Sequence, residues 1–288
     1  MTDRTVAECR RELPSGGSGY PDPSGSEQMQ ARAVLASVLA LALVLSGCAQ
    51  PDRTIVSAGP PKPVESTTPP TPKPHPSATK PAKPPLRPLP AKLPAGLGRN
   101  TGVRPVALTF DDGPNPAWTP KVLDQLKAAK VTATFCVVGR EVQRHPELVR
   151  RIVREGHQLC NHSWRHDLEL ARRPVAEIRA DLDRTNKAIQ KAVPGAKVSF
   201  YRQPGGRWTS EVLGVAKDLG MRPLHWSVDP QDWDKPSAAT IGKRVHAATR
   251  PGGIVLLHDG GGNRAATLAA CPKLIADLKK RFGITRLH

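Results

Sequence analysis

The 288-residue sequence predicts an α/β fold: a short or incomplete (β/α) barrel behind a disordered Pro-rich linker. Three observations lead there. From about Arg104 onward, short apolar stretches alternate with stretches of helical period, the pattern of βα units around a parallel sheet. Roughly 185 residues carry that alternation, enough for a small barrel. Proline is concentrated upstream, with 15 of 31 residues in 51–100, where neither helices nor central strands can form.

Residues 106–110 read as a buried strand. Thr119-Pro120 opens a helix, with Thr119 as N-cap, proline at the first helical position, and Val122, Leu123 and Leu126 on its inner face. A second strand follows at 132–138, a helix at 146–155 stopped by Gly156, and a short strand at 158–160. The clearest helix is 174–193, where Val175, Ile178, Leu182, Ile189 and Val193 recur at spacings of three, four or seven. Then come a strand at 198–200, a helix at 209–219, a strand at 222–226, a helix at 238–248, an apolar strand at 254–257 and a last helix at 272–281.

Upstream, residues 1–28 are polar and rich in Gly, Ser and Pro, and read as an extension mis-assigned ahead of a true start at Met29. Arg32 then flanks an apolar run over 33–45, thirteen residues that suit a signal peptide and fall short of the roughly 20 of a membrane span. The run ends in Leu45-Ser46-Gly47-Cys48, which resembles the lipobox of bacterial lipoproteins. Residues 29–47 are therefore expected to be a lipoprotein signal peptide, Cys48 the lipidated residue, 48–100 a Pro/Lys-rich spacer, and 101–288 the folded domain. This arrangement implies an extracytoplasmic protein, lipid-anchored to the cell membrane and reaching into the wall.

The charge fits that setting. The chain carries +18 overall, with 31 basic against 18 acidic side chains in 101–288. Such a surface favours polyanions, among them nucleic acid, wall polymers and membrane surfaces; the export signal argues against nucleic acid. At 24% charged residues the composition excludes a polytopic membrane protein, and five cysteines are too few for a disulfide scaffold. Cys136 and Cys160 fall on consecutive strands and could be neighbours; an exported protein permits a disulfide between them, but their apolar surroundings favour buried free thiols, the state also expected of Cys271.

The ionisable residues cluster in one context. Asp111 and Asp112 follow the first strand, His162 and His166 the third, Arg202 the fourth, Asp229 and Asp232 the fifth, and His258 ends the sixth. Residues just past the strand ends of a βα barrel face one mouth, so these side chains are expected to converge. His162 and His166, four apart, share a face on a helical turn. Two histidines and a carboxylate make a divalent-metal site with open positions. Each piece alone has an ordinary explanation: a packed histidine pair, or a turn at Asp112-Gly113-Pro114.

Together, Thr109-Phe110-Asp111-Asp112-Gly113-Pro114, His162-Ser163-Trp164-Arg165-His166, Tyr201-Arg202-Gln203-Pro204, Asp229-Pro230-Gln231-Asp232-Trp233 and Leu256-Leu257-His258 resemble the five motifs of the polysaccharide deacetylases of carbohydrate esterase family 4, the NodB-homology domain. The resemblance covers about 104–288 and implies a distorted (β/α) barrel. It implies that Asp112, His162 and His166 bind one divalent ion, zinc first and cobalt or another transition metal next. Asp111 would be the general base toward metal-bound water, whose pKa near ~7 suits a carboxylate. His258 would be the general acid toward the departing amine, with Asp232 holding it and Arg202 orienting Asp111. A backbone N–H at Gly205 would face the oxyanion, and Trp233 and Leu256 would line the acetyl pocket.

The sequence departs from the family at Gly205-Gly206, where an aromatic residue usually follows the proline. Trp208 is expected to take over part of that missing wall, and Trp226, inside a strand, to serve packing. The implied reaction is N-deacetylation of an extracellular GlcNAc-type polysaccharide, either peptidoglycan or a chitin-like polymer. O-deacetylation of acetylated xylan would use the same site. A third reading, a non-catalytic wall-binding lipoprotein, sits poorly with the intact set Asp111, Asp112, His162, His166, Arg202 and His258.

Overall fold

Six short parallel strands carry the domain: β1 (Ala107–Asp111), β2 (Thr134–Val137), β3 (Gln158–Asn161), β4 (Phe200–Tyr201), β5 (Arg222–Pro223) and β6 (Ile254–His258). The computed structural model describes residues 86–288. The predicted upstream extension, signal peptide, Cys48 and the linker up to residue 85 lie outside them. The sheet order is β5-β4-β3-β2-β1-β6. Beyond β5 the chain swings to the far edge, where Val228 bridges Val255 in parallel and Leu256 N–H donates to the Val228 carbonyl at 2.9 Å. That bridge closes the sheet into the predicted short, distorted barrel.

Strand parity separates the core from the site. Residues alternate across a strand. Leu108, Phe110, Phe135, Val137, Leu159, Val255 and Leu257 point outward and are fully buried under the helices. Each such side chain contributes about 1.5–3 kcal/mol on burial. The opposite parity fills the barrel with Ala107, Cys136, Cys160, Phe200 and Ile254. Continuing that inward parity to the C-terminal strand ends reaches Asp111, His162, Arg202 and His258.

The helices are α1 (Thr119–Ala129), α2 (Gly139–Arg144), α3 (Pro146–Arg154), α4 (Val175–Ala192), α5 (Ser210–Asp218), α6 (Ala238–Ala248) and α7 (Ala265–Arg281). The predicted elements are all present, with five corrections. Helix α2 is too short to show a period, burying only Gly139 and Val142. Helix α7 begins seven residues earlier than expected and contains Pro272. The carbonyl that proline leaves unbonded, on Leu268, accepts instead from Gln125 Nε2 at 3.1 Å, which offsets part of the usual cost. Thr119 is not the N-cap of α1, which is Trp118; its hydroxyl is used elsewhere, as described below. Val175 lies 45% exposed rather than on the inner face of α4. Residues 86–100, assigned by composition to the linker, lie against the domain: Gly98 bridges Leu224, and the Arg87 guanidinium reaches the Arg173 carbonyl at 2.7 Å.

The cysteines also differ from expectation. Cys136 and Cys160 are register partners on β2 and β3, their Cα atoms 4.1 Å apart, and form a disulfide inside the barrel. Apolar surroundings alone suggested free thiols; direct pairing of two inward positions brings the sulfurs together. Cys271 is free and buried, as predicted.

Candidate active site

The strand ends open into a cavity of about 420 Å³ whose lining includes Asp111, Asp112, His162, His166 and His258. Asp111 ends β1, only 2% exposed. Its Oδ1 accepts from Arg202 Nη1 at 2.7 Å, leaving Oδ2 toward the cavity and 3.5 Å from His162 Nε2. Arg202, fully buried at the end of β4, also donates to Thr109 Oγ1 at 2.8 Å and to the His225 carbonyl at 3.1 Å. This second use of Thr109 had no signal in the sequence beyond its inward parity.

Asp112 sits in the left-handed region at φ 74°, which turns its carboxylate away from that of Asp111. Its Oδ1 is buried and accepts no hydrogen bond, with His166 Nε2 at 3.3 Å and His162 Nε2 at 3.5 Å. The three donor atoms of Asp112, His162 and His166 lie within 4.8 Å of one another. His162 Nδ1 lies 2.7 Å from the Arg202 carbonyl, which can only accept, so that nitrogen carries the hydrogen and Nε2 presents a lone pair inward. An orphaned buried carboxylate oxygen facing two imidazole nitrogens fits a divalent cation with a two-nitrogen, one-oxygen donor set.

The electrostatics agree. Burial works to raise the Asp112 pKa, but His162, His258 and His166 outweigh it and hold it below the usual carboxylate range. Burial likewise opposes charge on His162, yet Asp111 and Asp112 raise its pKa. The two carboxylates thus draw positive charge to the point where the donors meet. The His162–His166 geometry differs from the expected helical turn. Ser163 and His166 both adopt positive φ, and the loop between them brings the rings to 5.0 Å.

His258 ends β6 as the register partner of Asp111 on β1. Its Nδ1 meets Asp232 Oδ1 at 2.7 Å, and its backbone N–H donates to Asp232 Oδ2 at 3.0 Å. Burial lowers the His258 pKa, but the Asp232 hydrogen bond and charge, helped by Asp112 and Asp111, carry it up to about 9. Thr267 donates to Asp232 Oδ2 at 2.7 Å and completes that carboxylate's shell.

With this geometry in view, comparison with known proteins is direct. A family model described as polysaccharide deacetylase matches residues 98–224. A chitooligosaccharide deacetylase of a Bradyrhizobium species is 48% identical over 56% of this chain and 73% of its own length. The chain belongs to the polysaccharide deacetylase family. A peptidoglycan-N-acetylglucosamine deacetylase of Bacillus cereus is 39% identical over 61% of this chain and 82% of its own. Among solved structures, a CE4 family pseudoenzyme from Bacillus anthracis aligns with TM-score 0.60 and 30% identity over 65% of each chain. Family membership alone therefore does not establish activity.

In this polysaccharide deacetylase domain the predicted residues Asp111, Asp112, His162, His166, Gly205, Trp233, Leu256 and His258 all line the one cavity, with Arg202 and Asp232 directly behind it. Trp208 does not. It is 1% exposed and packs edge-on to Tyr201 at 5.6 Å in a separate core cluster, so it cannot replace a wall at Gly205. Trp226 moves the other way: it lies past β5, half-buried, and lines the cavity.

Three supporting residues escaped the sequence reading. Asp259 follows His258 but turns under the first loop, accepting from Thr119 Oγ1 at 2.5 Å, and burial raises its pKa to about 7. Its carboxylate packs where a Cβ at Gly113 would stand, 2.5 Å away. Arg264 lines the cavity and ties the Gly260 carbonyl at 2.6 Å. Gln203 accepts from the Tyr201 hydroxyl. Only the Gly260-Gly261-Gly262 run hinted at a tight loop here: a Cβ at Gly261 would stand 2.2 Å from Asp112 Oδ2.

Proposed function

We propose that this chain is a metal-dependent hydrolase that removes N-acetyl groups from an extracellular GlcNAc-type polysaccharide. The observation that carries the proposal is the convergence of the Asp112-His162-His166 donor set with two buried pairs, Asp111–Arg202 and His258–Asp232, on one cavity. The named activities of the two relatives above point to the same substrate class.

Asp112, His162 and His166 would hold the ion, zinc by donor type, with cobalt as the nearest substitute. Bound there, it supplies a Lewis acid for the acetyl carbonyl and acidifies water. Arg202 holds Asp111 by one oxygen and leaves the other to take the proton from the attacking water. The carbonyl carbon gains the water oxygen while Asp111 holds the water proton; the C–N bond breaks, and His258 delivers a proton from Nε2 to the departing amine, leaving acetate. The Asp232 hydrogen bond and charge raise the His258 pKa to about 9, so near neutrality the ring carries a proton on both nitrogens. Gly205 would offer its N–H to the oxyanion, a contact of a kind worth ~3 kcal/mol. Leu256 and Trp233 would bound the acetyl methyl.

Anchoring through Cys48 at the outer face of the membrane is part of the same proposal. It is supported by the apolar run and lipobox-like sequence, and by the Cys136–Cys160 disulfide, which suits an oxidising compartment.

The test is acetate release from peptidoglycan, chitooligosaccharides and acetylxylan by zinc-loaded wild type and Asp111→Ala, with metal content measured on both. Release from a GlcNAc polymer that Asp111→Ala abolishes while retaining zinc supports the proposal. Release from acetylxylan alone makes the protein an O-deacetylase. No release from any of them makes it a binding module.

A further inference from the structure

Seven large apolar side chains are exposed among the described residues, and only two of them, Leu168 and Trp233, line the active-site cavity. They are 39% and 49% exposed. Exposed apolar surface beside a polar floor is a binding feature rather than a folding one. Leu168 belongs to the loop after β3, and Trp233 to a 3-10 turn, Asp232–Asp234, packed on β6. Leu168 leans over Gly205, in the turn after β4, so the two side chains reach the one cavity from different strand ends.

Hydrogen bonds and ion pairs on either side of Leu168 fix the course of its loop. Asp167 Oδ1 accepts from Glu169 N–H at 2.9 Å, and its Oδ2 pairs with Arg173 Nε at 2.6 Å. Glu169 in turn pairs with Arg207 at 2.5 Å, tying this loop to the turn that carries Gly205. The Leu168 methyl occupies the space over Gly205: a Cβ there would stand 3.0 Å from Leu168 Cδ2, and φ +61° disfavours any side chain at that position. The ring absent at position 205 is thus matched by a leucine reaching in from a different strand end.

We propose that Leu168 is a specificity-determining residue that grips the sugar bearing the acetamide, its methyls against a C–H face of the pyranose, while Trp233 and Leu256 bound the acetyl methyl in the same cavity. This rests on the deacetylase reading. A pyranose has apolar faces and polar edges, so an apolar wall beside a floor of carboxylates and imidazoles matches it. A small acetate ester that reaches only the floor gains nothing from Leu168.

The experiment compares wild type, Leu168→Ala and Leu168→Met on chitopentaose and on methyl acetate, with zinc content measured for each. Leu168→Ala should raise KM for chitopentaose about fivefold, the value of re-exposing part of one leucine. It should leave kcat, zinc content and ester hydrolysis unchanged, and Leu168→Met should restore KM. An unchanged KM, or an equal loss on both substrates, overturns the inference. If wild type turns over neither substrate, the deacetylase reading falls by itself, and calorimetric binding of chitopentaose decides: about fivefold weaker binding by Leu168→Ala sustains the inference, while equal binding or none by wild type overturns it.

Discussion

Replacing Asp232 by Asn tests the acid half of the chemistry. In the native site Asp232 Oδ1 accepts from His258 Nδ1 at 2.7 Å, and Oδ2 accepts from Thr267 and the His258 backbone N–H. An asparagine can satisfy the last two donors with its oxygen, which leaves its NH2 facing Nδ1. That nitrogen must then accept, and the imidazolium is lost. Moving the His258 pKa from about 9 back to the ordinary 6.5 is worth about 3 kcal/mol. The sign follows from the acid's role: the wild type keeps its proton to about 9, whereas the variant loses it above about 6.5. The kcat ratio of wild type to variant should thus be nearly flat at about pH 5.5, reach roughly tenfold by about pH 7.5, and approach roughly 80-fold by about pH 8.5. The assay is acetate release from chitopentaose across that range at constant zinc content. Taking the ratio cancels the titration of the base. A ratio independent of pH would refute the assignment of His258 as an acid tuned by Asp232.

Other perturbations separate packing, metal geometry and proton linkage. Trp208→Ala should cost about 3–5 kcal/mol of stability, read as a lowered denaturant midpoint, while KM of the folded fraction stays unchanged; a raised KM without loss of stability would return Trp208 to the substrate wall. Gly261→Ala places a methyl 2.2 Å from Asp112 Oδ2 at a φ of +69°, so zinc affinity by calorimetry should fall at least about tenfold with the fold retained by circular dichroism. His157 is buried with Nδ1 accepting from Ala133 N–H, and burial lowers its pKa to about 4. The unfolded chain binds this proton first, so the neutral native ring contributes stability above 6.5 that is lost as pH falls toward about 4, at most about 3 kcal/mol. His157→Phe should flatten the fall of the thermal midpoint over that window, and an unchanged slope would refute the linkage.

The barrel was legible because strand parity is a local, period-two property. Once 106–110 and 254–257 read as strands, Asp111 and His258 could face only one end of one sheet. The five motifs then named their partners. The loops were less legible. Helical spacing suggested a shared face for His162 and His166, but two residues at positive φ bring them together instead. Pro272 looked like a helix start because the Gln125 side chain that receives the freed carbonyl lies about 140 residues away in sequence, on another helix.

By itself, then, the sequence determined the α/β class, the order of the elements, and which inward positions carry carboxylate, imidazole and guanidinium. Those depend on period and on residue chemistry, both readable one segment at a time. Only the tertiary structure decided that Trp208 is core, that Cys136 and Cys160 are joined, that Asp259 supports the first loop from beneath, and that Leu168 fills the space above Gly205. Each of those is a contact between separate segments that strand pairing and helix packing bring together, and no spacing along one strand or helix encodes which side chain arrives from the neighbouring segment.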